Sequence, residues 1–215
     1  LEGYKVFTYS IGNFGFMRNL EQIRVNPAYH FLDLNIISNG GGFAYGPLGY
    51  THHATEDIGI MRTIPNITCL APTFKEDVLC AFKHSLESSN PNYIRLQKFP
   101  NNLSENLDSI YIDKPVCHIS GDETAIICYG NIIDNIFEAV QMSPSNRPSV
   151  YSINQIDPIV DKNWLDILTK YSRIIIVEEH VENCGLGEAF SSLCFRIKKF
   201  PDLVKLNIGN KFETI

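Results

Sequence analysis

Residues 49–57 read Gly-Tyr-Thr-His-His-Ala-Thr-Glu-Asp: two adjacent imidazoles, then two carboxylates. His52 and Glu56 stand four apart, as do His53 and Asp57. With Thr51 as an N-cap, both histidines fall in the first turn of a helix, each able to lean toward an acid on its own face. The positive end of the helix dipole favours the neutral imidazole, while a neighbouring carboxylate favours the charged one. A balance between them suits a proton-transferring group. The same residues also fit plain capping with a solvated charge pair. Metal binding is the weaker reading, because neighbouring helical positions point about 100° apart, unlike the i,i+4 histidines of a zinc helix.

The elements around this stretch set where it sits. "LNIIS" (34–38) is a short buried-strand run, and "NGGGFAYGPLGY" follows it before the histidines. Strand, glycine-rich loop and helix start in that order place the histidines beyond the carboxyl end of a strand, where open parallel sheets bind ligands. Strand and helix patterns alternate elsewhere. "KVFTYSI" (5–11), "ITCLAPT" (67–73) and "NYIRLQK" (92–98) read as strands, and "FMRNLEQIRVNPAYH" (16–30) as a helix interrupted at Pro27. Thr73 and Glu76 have capping-box spacing before "DVLCAFKHSL". Residues 99–120 are polar, rich in Pro and Asn, and read as a connection with a hairpin at its end. Beyond it, "TAIICYG", "SVYSINQ", "RIIIVEEH" and "LVKLNIG" read as strands. "NIIDNIFEAVQ", "NWLDILTKY" and "GLGEAFSSLCFRI" read as helices. The expected fold is α/β: two three-layer doubly wound domains with mostly parallel sheets. The domains expected are 1–99 and 121–215, joined by a linker over 100–120. The chain opens "LEGYKVFTYS", without Met and in mid-element, so it reads as a piece of something longer with its first domain N-terminally incomplete.

Composition narrows the function classes. Lys and Arg number 18 against 24 Asp and Glu, a net charge of −6, with no basic stripe, which argues against nucleic-acid binding. Apolar runs such as "RIIIV" are too short to cross a bilayer. The six cysteines are scattered without a CxxC pair and read as free thiols in a reducing compartment, so a cytoplasmic location is expected.

The motifs carry a resemblance. "GPLGYTHHATEDIGIMRTIPN" resembles the T-H-x-x-x-E-D stretch of the transketolases and deoxyxylulose-phosphate synthases. "FTYSIGNFGFMRNLEQIR" looks like their F-x-x-S segment with its aromatic cluster and R-x-x-[DE]-Q-[IV]. "PNYIRLQK" is similar to the strand closing their pyrimidine-binding domain, and "RIIIVEEHVENCGLGEAF" resembles the E-E-H and G-L-G of their C-terminal domain. The resemblance implies part of an enzyme that transfers a two-carbon ketol or acyl unit, on sugar-phosphate-like or 2-oxo substrates, through thiamine diphosphate and Mg²⁺. By that resemblance Phe14 and Phe16 match the aromatic wall that stacks the aminopyrimidine. His52 matches the histidine that contacts substrate and moves protons, and His53 beside it counts among the substrate-binding residues as one that tunes or packs. Lys98 stands where transketolases carry a phosphate-binding arginine, and it offers a point charge rather than a fork.

The departures are equally specific. The family's Asp before the T-H motif is Leu48 here. The catalytic glutamate belongs some ten residues before Leu1. The G-D-G and Asn ligands of diphosphate and metal are not found in the chain, so those ligands are expected outside it. "GDE" (121–123), with Asn146 at a tempting distance, reads as a turn. A diphosphate-binding domain or subunit is therefore the implied partner, in a homodimer or heterotetramer. A β component of a 2-oxo acid dehydrogenase, and a non-catalytic subunit that keeps the scaffold, are the alternatives.

Overall fold

The structure, a computed structural model, describes residues 3–98, 112–143 and 147–212. Most of the expected 100–120 connection lies outside the described residues, as does Asn146. In chain order the strands are β1 (Val6–Ile11), β2 (Leu34–Asn39), β3 (Thr68–Leu70), β4 (Asn92–Leu96), β5 (Val116–Ile119), β6 (Thr124–Cys128), β7 (Ser149–Ser152), β8 (Gln155–Asp157), β9 (Arg173–Val177) and β10 (Asp202–Leu206). The helices are α1 (Leu20–Ile23), α2 (Asp57–Arg62), α3 (Lys75–Glu87), α4 (Ile132–Met142), α5 (Leu165–Lys170) and α6 (Leu186–Ile197).

These form two α/β units, each on a five-stranded and mostly parallel sheet. The first runs β1-β2-β4-β3-β8, the second β10-β9-β6-β7-β5. β8 and β5 are the antiparallel members of the two sheets. The continuous apolar strands sit centrally. β6 and β9 pair in register, with Ala125 opposite Ile174 and Ile127 opposite Ile176, all four fully buried. Branched side chains on both faces suit a strand covered by helices on each side.

The stretch "SVYSINQ" is two strands rather than one. β7 belongs to the second sheet; the chain then breaks at Ile153 and Asn154, and β8 crosses to the first sheet beside β3. Asn154 makes the crossing. Its carbonyl accepts the Ala71 N–H at 2.7 Å and its Oδ1 accepts the Thr73 N–H at 3.3 Å. The apolar core is correspondingly continuous, running from Phe16, Ile58 and Met61 through Ile153 and Ile156 to Trp164, Leu186 and Phe190.

Other local expectations are corrected. Residues 17–28 form a 3₁₀ turn, one turn of α1 and a wide π-type turn at 24–28, because Pro27 offers no N–H to a regular helix. The cap of α3 lies one residue later than Thr73: Phe74 donates its N–H to Asp77 Oδ2 at 2.9 Å. Thr73 instead accepts the Gly130 N–H at 3.1 Å, linking the two units. No hairpin joins β5 to β6, since β5 pairs with β7. The "GDE" stretch bends directly into β6. Among the described residues no helix is long and apolar enough to cross a membrane.

Candidate active site

The glycine-rich loop leaves the carboxyl end of β2 and folds back over β4. Gly40 and Gly41 both donate to the Leu96 carbonyl, at 2.8 and 3.2 Å. A side chain at Gly41 would run into Arg95, whose Nε lies 1.8 Å from the position a β-carbon would take. Gly42 has φ +62 and exchanges two hydrogen bonds with Ala54, at 2.9 and 3.0 Å. This bridge brings the residues after the histidines back onto the loop that precedes them.

α2 starts at Asp57 with Glu56, not Thr51, at the N-cap, so the two histidines lie in the turn before the helix. His52 donates its backbone N–H to Gly49 O at 2.9 Å, and its Nδ1 lies 3.0 Å from the Thr51 hydroxyl. Neither expected histidine–acid pair forms. Glu56 accepts the Thr55 hydroxyl at 3.0 Å, and Asp57 turns into the protein. The Ala54 bridge to Gly42 ends any helical continuity that would align i and i+4. His52 is half-buried, whereas His53 is buried. The His53 ring donates from Nε2 to Gly46 O at 3.1 Å and packs on Phe43, centroid to centroid 5.1 Å. It braces the loop from beneath, with Nε2 committed to that bond.

Phe14 and Phe16 part company. The turn at 12–15 lies against 52–54: Asn13 Nδ2 donates to His53 O, and Ser38 donates to Gly12 O. Phe14, partly open, meets His52 edge to face with centroids 5.1 Å apart, and the Arg18 guanidinium sits 4.4 Å from its ring centre. A cavity of about 390 Å³ adjoins the ring, lined also by Thr8, Ser10, Asn19, Gln22 and Asn26. Phe16 is fully buried in the core against Tyr93. A turn that exposes Phe14 points a residue two further on inward.

Beneath the loop lies a polar network between the two units. Arg95, 1% exposed, pairs with Asp57 at 3.4 Å and donates to Tyr129 OH at 3.3 Å and to Glu179 O at 3.2 Å. Burial opposes its charge, but Asp57, the tyrosines and Glu179 outweigh that and hold the guanidinium above its ordinary pKa. Tyr93 donates to Asp57 at 2.8 Å, and burial, then Asp57, pushes its phenol up. Tyr129 donates to Glu178, which in turn accepts the Leu186 and Gly187 N–H groups at the start of α6. Burial also raises Glu179, with Arg95 opposing.

Lys98 is exposed, its ammonium 4.7 Å from the Tyr45 ring on the glycine loop. Leu48, Tyr50 and Phe212 are exposed, with Tyr50 against Phe212 at 5.9 Å. Among the described residues no three His, Cys, Asp or Glu side chains gather to hold a metal ion. Sequence reasoning missed Asp57 as an inward partner, and Arg95, Tyr129 and Glu178 altogether. One signal was legible: an arginine inside the apolar run "YIRL" must be paired to be buried.

The family description "Transketolase, pyrimidine binding domain" matches residues 1–101, and "Transketolase, C-terminal domain" matches 115–205. The chain is 30% identical to an apulose-4-phosphate transketolase subunit of Phocaeicola vulgatus over 189 residues, 86% of this chain and 61% of that protein. It is 27% identical to a putative transketolase C-terminal section of Methanocaldococcus jannaschii over 218 residues, 98% of this chain and 67% of that one. It thus spans about three fifths of the apulose-4-phosphate transketolase subunits it matches. A solved structure titled split gene transketolase, inactive beta4 tetramer, superposes with a TM-score of 0.85 at 23% identity, over 98% of this chain and 68% of that one. Transketolase from Campylobacter jejuni gives 0.74 at 16% identity, covering 98% and 32%.

Proposed function

The chain belongs to the transketolase family, and from that premise we propose that it supplies the pyrimidine-side wall of a thiamine-diphosphate-dependent ketol-transferring enzyme. The observation that carries this reading is the pairing of a partly open phenyl ring with a half-buried imidazole at the carboxyl end of β2. The residues suit the cofactor's heterocycle. Phe14 offers an apolar edge or face, and the adjoining cavity offers hydroxyls and amides that match an aminopyrimidine's donors and acceptors. When bound, thiamine diphosphate supplies the carbanion chemistry that protein side chains lack.

The chain's own groups then divide the work. Phe14 positions the ring. His52, oriented through Nδ1 by the Thr51 hydroxyl, binds a substrate oxygen and moves its proton at the other ring nitrogen. Lys98 at the rim attracts an anionic substrate group. His53 serves the substrate indirectly, by holding the loop that carries His52. Phe16 serves Phe14 in the same way, from the core.

Diphosphate and Mg²⁺ are held by groups outside this chain, on a diphosphate-binding partner domain or subunit facing Phe14 and His52. Relatives that are themselves subunits or C-terminal sections of transketolases support that arrangement. The test is ketol transfer by the complete protein and its His52→Ala variant. Loss of about 10²–10⁴-fold in kcat is expected for a positioned proton-transfer group. Unchanged kcat and kcat/KM would remove His52 from its role.

A further inference from the structure

The turn at 178–181 grips the first unit or the start of α6 with every one of its residues. Glu178 holds the start of α6 and Tyr129. The Glu179 carbonyl accepts from Arg95 at 3.2 Å, and its side chain closes on Gly42, where a β-carbon would lie 2.8 Å from Oε2. The Val181 N–H donates to Thr55 O at 2.9 Å. His180, fully buried, accepts the Gly59 N–H on Nε2 at 3.0 Å and donates from Nδ1 to Val181 O at 2.8 Å.

The Gly59 contact stands out chemically. Gly59 is the third residue of α2, so its N–H is one of the donors a helix start leaves without an intrahelical acceptor. Such donors are ordinarily met by a side chain from the residues just before the helix. Here Glu56, at that position, makes no such bond, and an imidazole 121 residues later in the chain does. The approach is close at Gly59: a β-carbon would sit 3.1 Å from both His180 Cε1 and Cys184 Cβ, so one of these neighbours would have to give way. Arg62, one turn on, donates to the Cys184 and Gly185 carbonyls and ties the same helix to the same loop.

We infer that His180 is a positioning residue for the His52 turn, capping α2 from the C-terminal domain and so fixing where the two histidines stand. The inference rests on the proposed role of His52. The lever arm is short. Residues 54, 55 and 59 are pinned by Gly42, Val181 and His180 in turn, which leaves the His52 turn little freedom while the domains stay docked. The C-terminal domain, which lines no part of the Phe14 cavity, thereby sets the geometry of the site.

The experiment uses the complete protein with its partner portion, and compares wild type, His180→Leu and His180→Gln. kcat and KM are measured together with the imidazole NMR resonances of His52, assigned by their loss in His52→Gln. His180→Leu is expected to lower kcat about 10–100-fold and change KM less than about threefold, the pattern of a misplaced reacting group. It should also shift the His52 resonances. His180→Gln, whose amide oxygen can accept the same N–H, should recover most of both. A His180→Leu enzyme with unchanged kcat and unmoved His52 resonances overturns the inference. Should His180→Leu not fold, Gly59→Ala takes its place, since the added carbon crowds the ring at 3.1 Å without deleting it, and the same two outcomes decide. If the wild-type protein transfers no ketol unit, the functional proposal fails, while the His52 resonances still decide the positioning claim.

Discussion

Phe14 and His52 meet edge to face, their ring centroids 5.1 Å apart and their planes at 68°. The contact joins two chain segments separated by a strand, a helical turn and the glycine loop. It exists because the turn after β1 packs on the bridge between Gly42 and Ala54. Two residues on, Phe16 faces the opposite way and fills the core beside Tyr93.

That divergence separates two mutations of the same chemistry. Phe16→Ala should destabilise the fold by about 3–5 kcal/mol, the range for emptying a buried aromatic site. Phe14→Ala should cost about 1 kcal/mol or less, since its ring is only partly buried. Urea denaturation of the two variants reads the difference. Equal losses would contradict the assignment of Phe16 to the core and Phe14 to the site.

The Arg95–Asp57 pair should behave as a buried ion pair whose halves depend on each other. Arg95→Met leaves the Asp57 carboxyl at zero exposure without its cationic partner and should cost about 3–5 kcal/mol. Adding Asp57→Leu removes the stranded carboxyl and should recover a large part of that loss, although Tyr93 then loses its acceptor. A double variant less stable than Arg95→Met alone, by the same denaturation measurement, would count against the pairing.

His118 should make stability fall in mild acid. Its ring packs against Phe74 and Phe137 with Nε2 2.8 Å from Ser152 Oγ, and burial lowers its pKa from 6.5 to about 4. Between those values the unfolded chain binds the proton and the folded chain does not. Stability is therefore full above about pH 6.5 and declines as pH falls toward 4, by about 2–3 kcal/mol from this group. His118→Gln should flatten that part of the stability-against-pH curve. A curve of unchanged slope in the variant would exclude His118 as its cause.

The sequence showed the architecture well and the site in part. Strands such as β6 and β9 were legible because their branched apolar runs permit little else, and α4 and α6 because their apolar residues repeat at helical spacing. The crossing of β8 was not legible, because a strand of three residues carries no sign of which sheet it will join. His52 is a candidate by its motif, but the N-cap expected at Thr51 lies five residues before the observed one, Glu56. Thr51 is a good cap by type, and only the long-range bridge between Gly42 and Ala54 delays the helix to Asp57. By the resemblance the second histidine tunes or packs beside the first, and a single step along the turn leaves the His52 ring half-buried and sends the His53 ring onto Gly46. Arg95 and His180 act across the two units, between residues 34 to 121 positions apart, and no local pattern encodes such distances.

Titration of thiamine diphosphate into the complete protein, followed by calorimetry, tests most directly whether Phe14 and His52 form one wall of the cofactor site. Wild-type protein should bind, and Phe14→Ala should bind more weakly by about 1–3 kcal/mol, the range for losing an aromatic stacking partner. Binding that is absent from the wild type, or equally tight in Phe14→Ala, would contradict it.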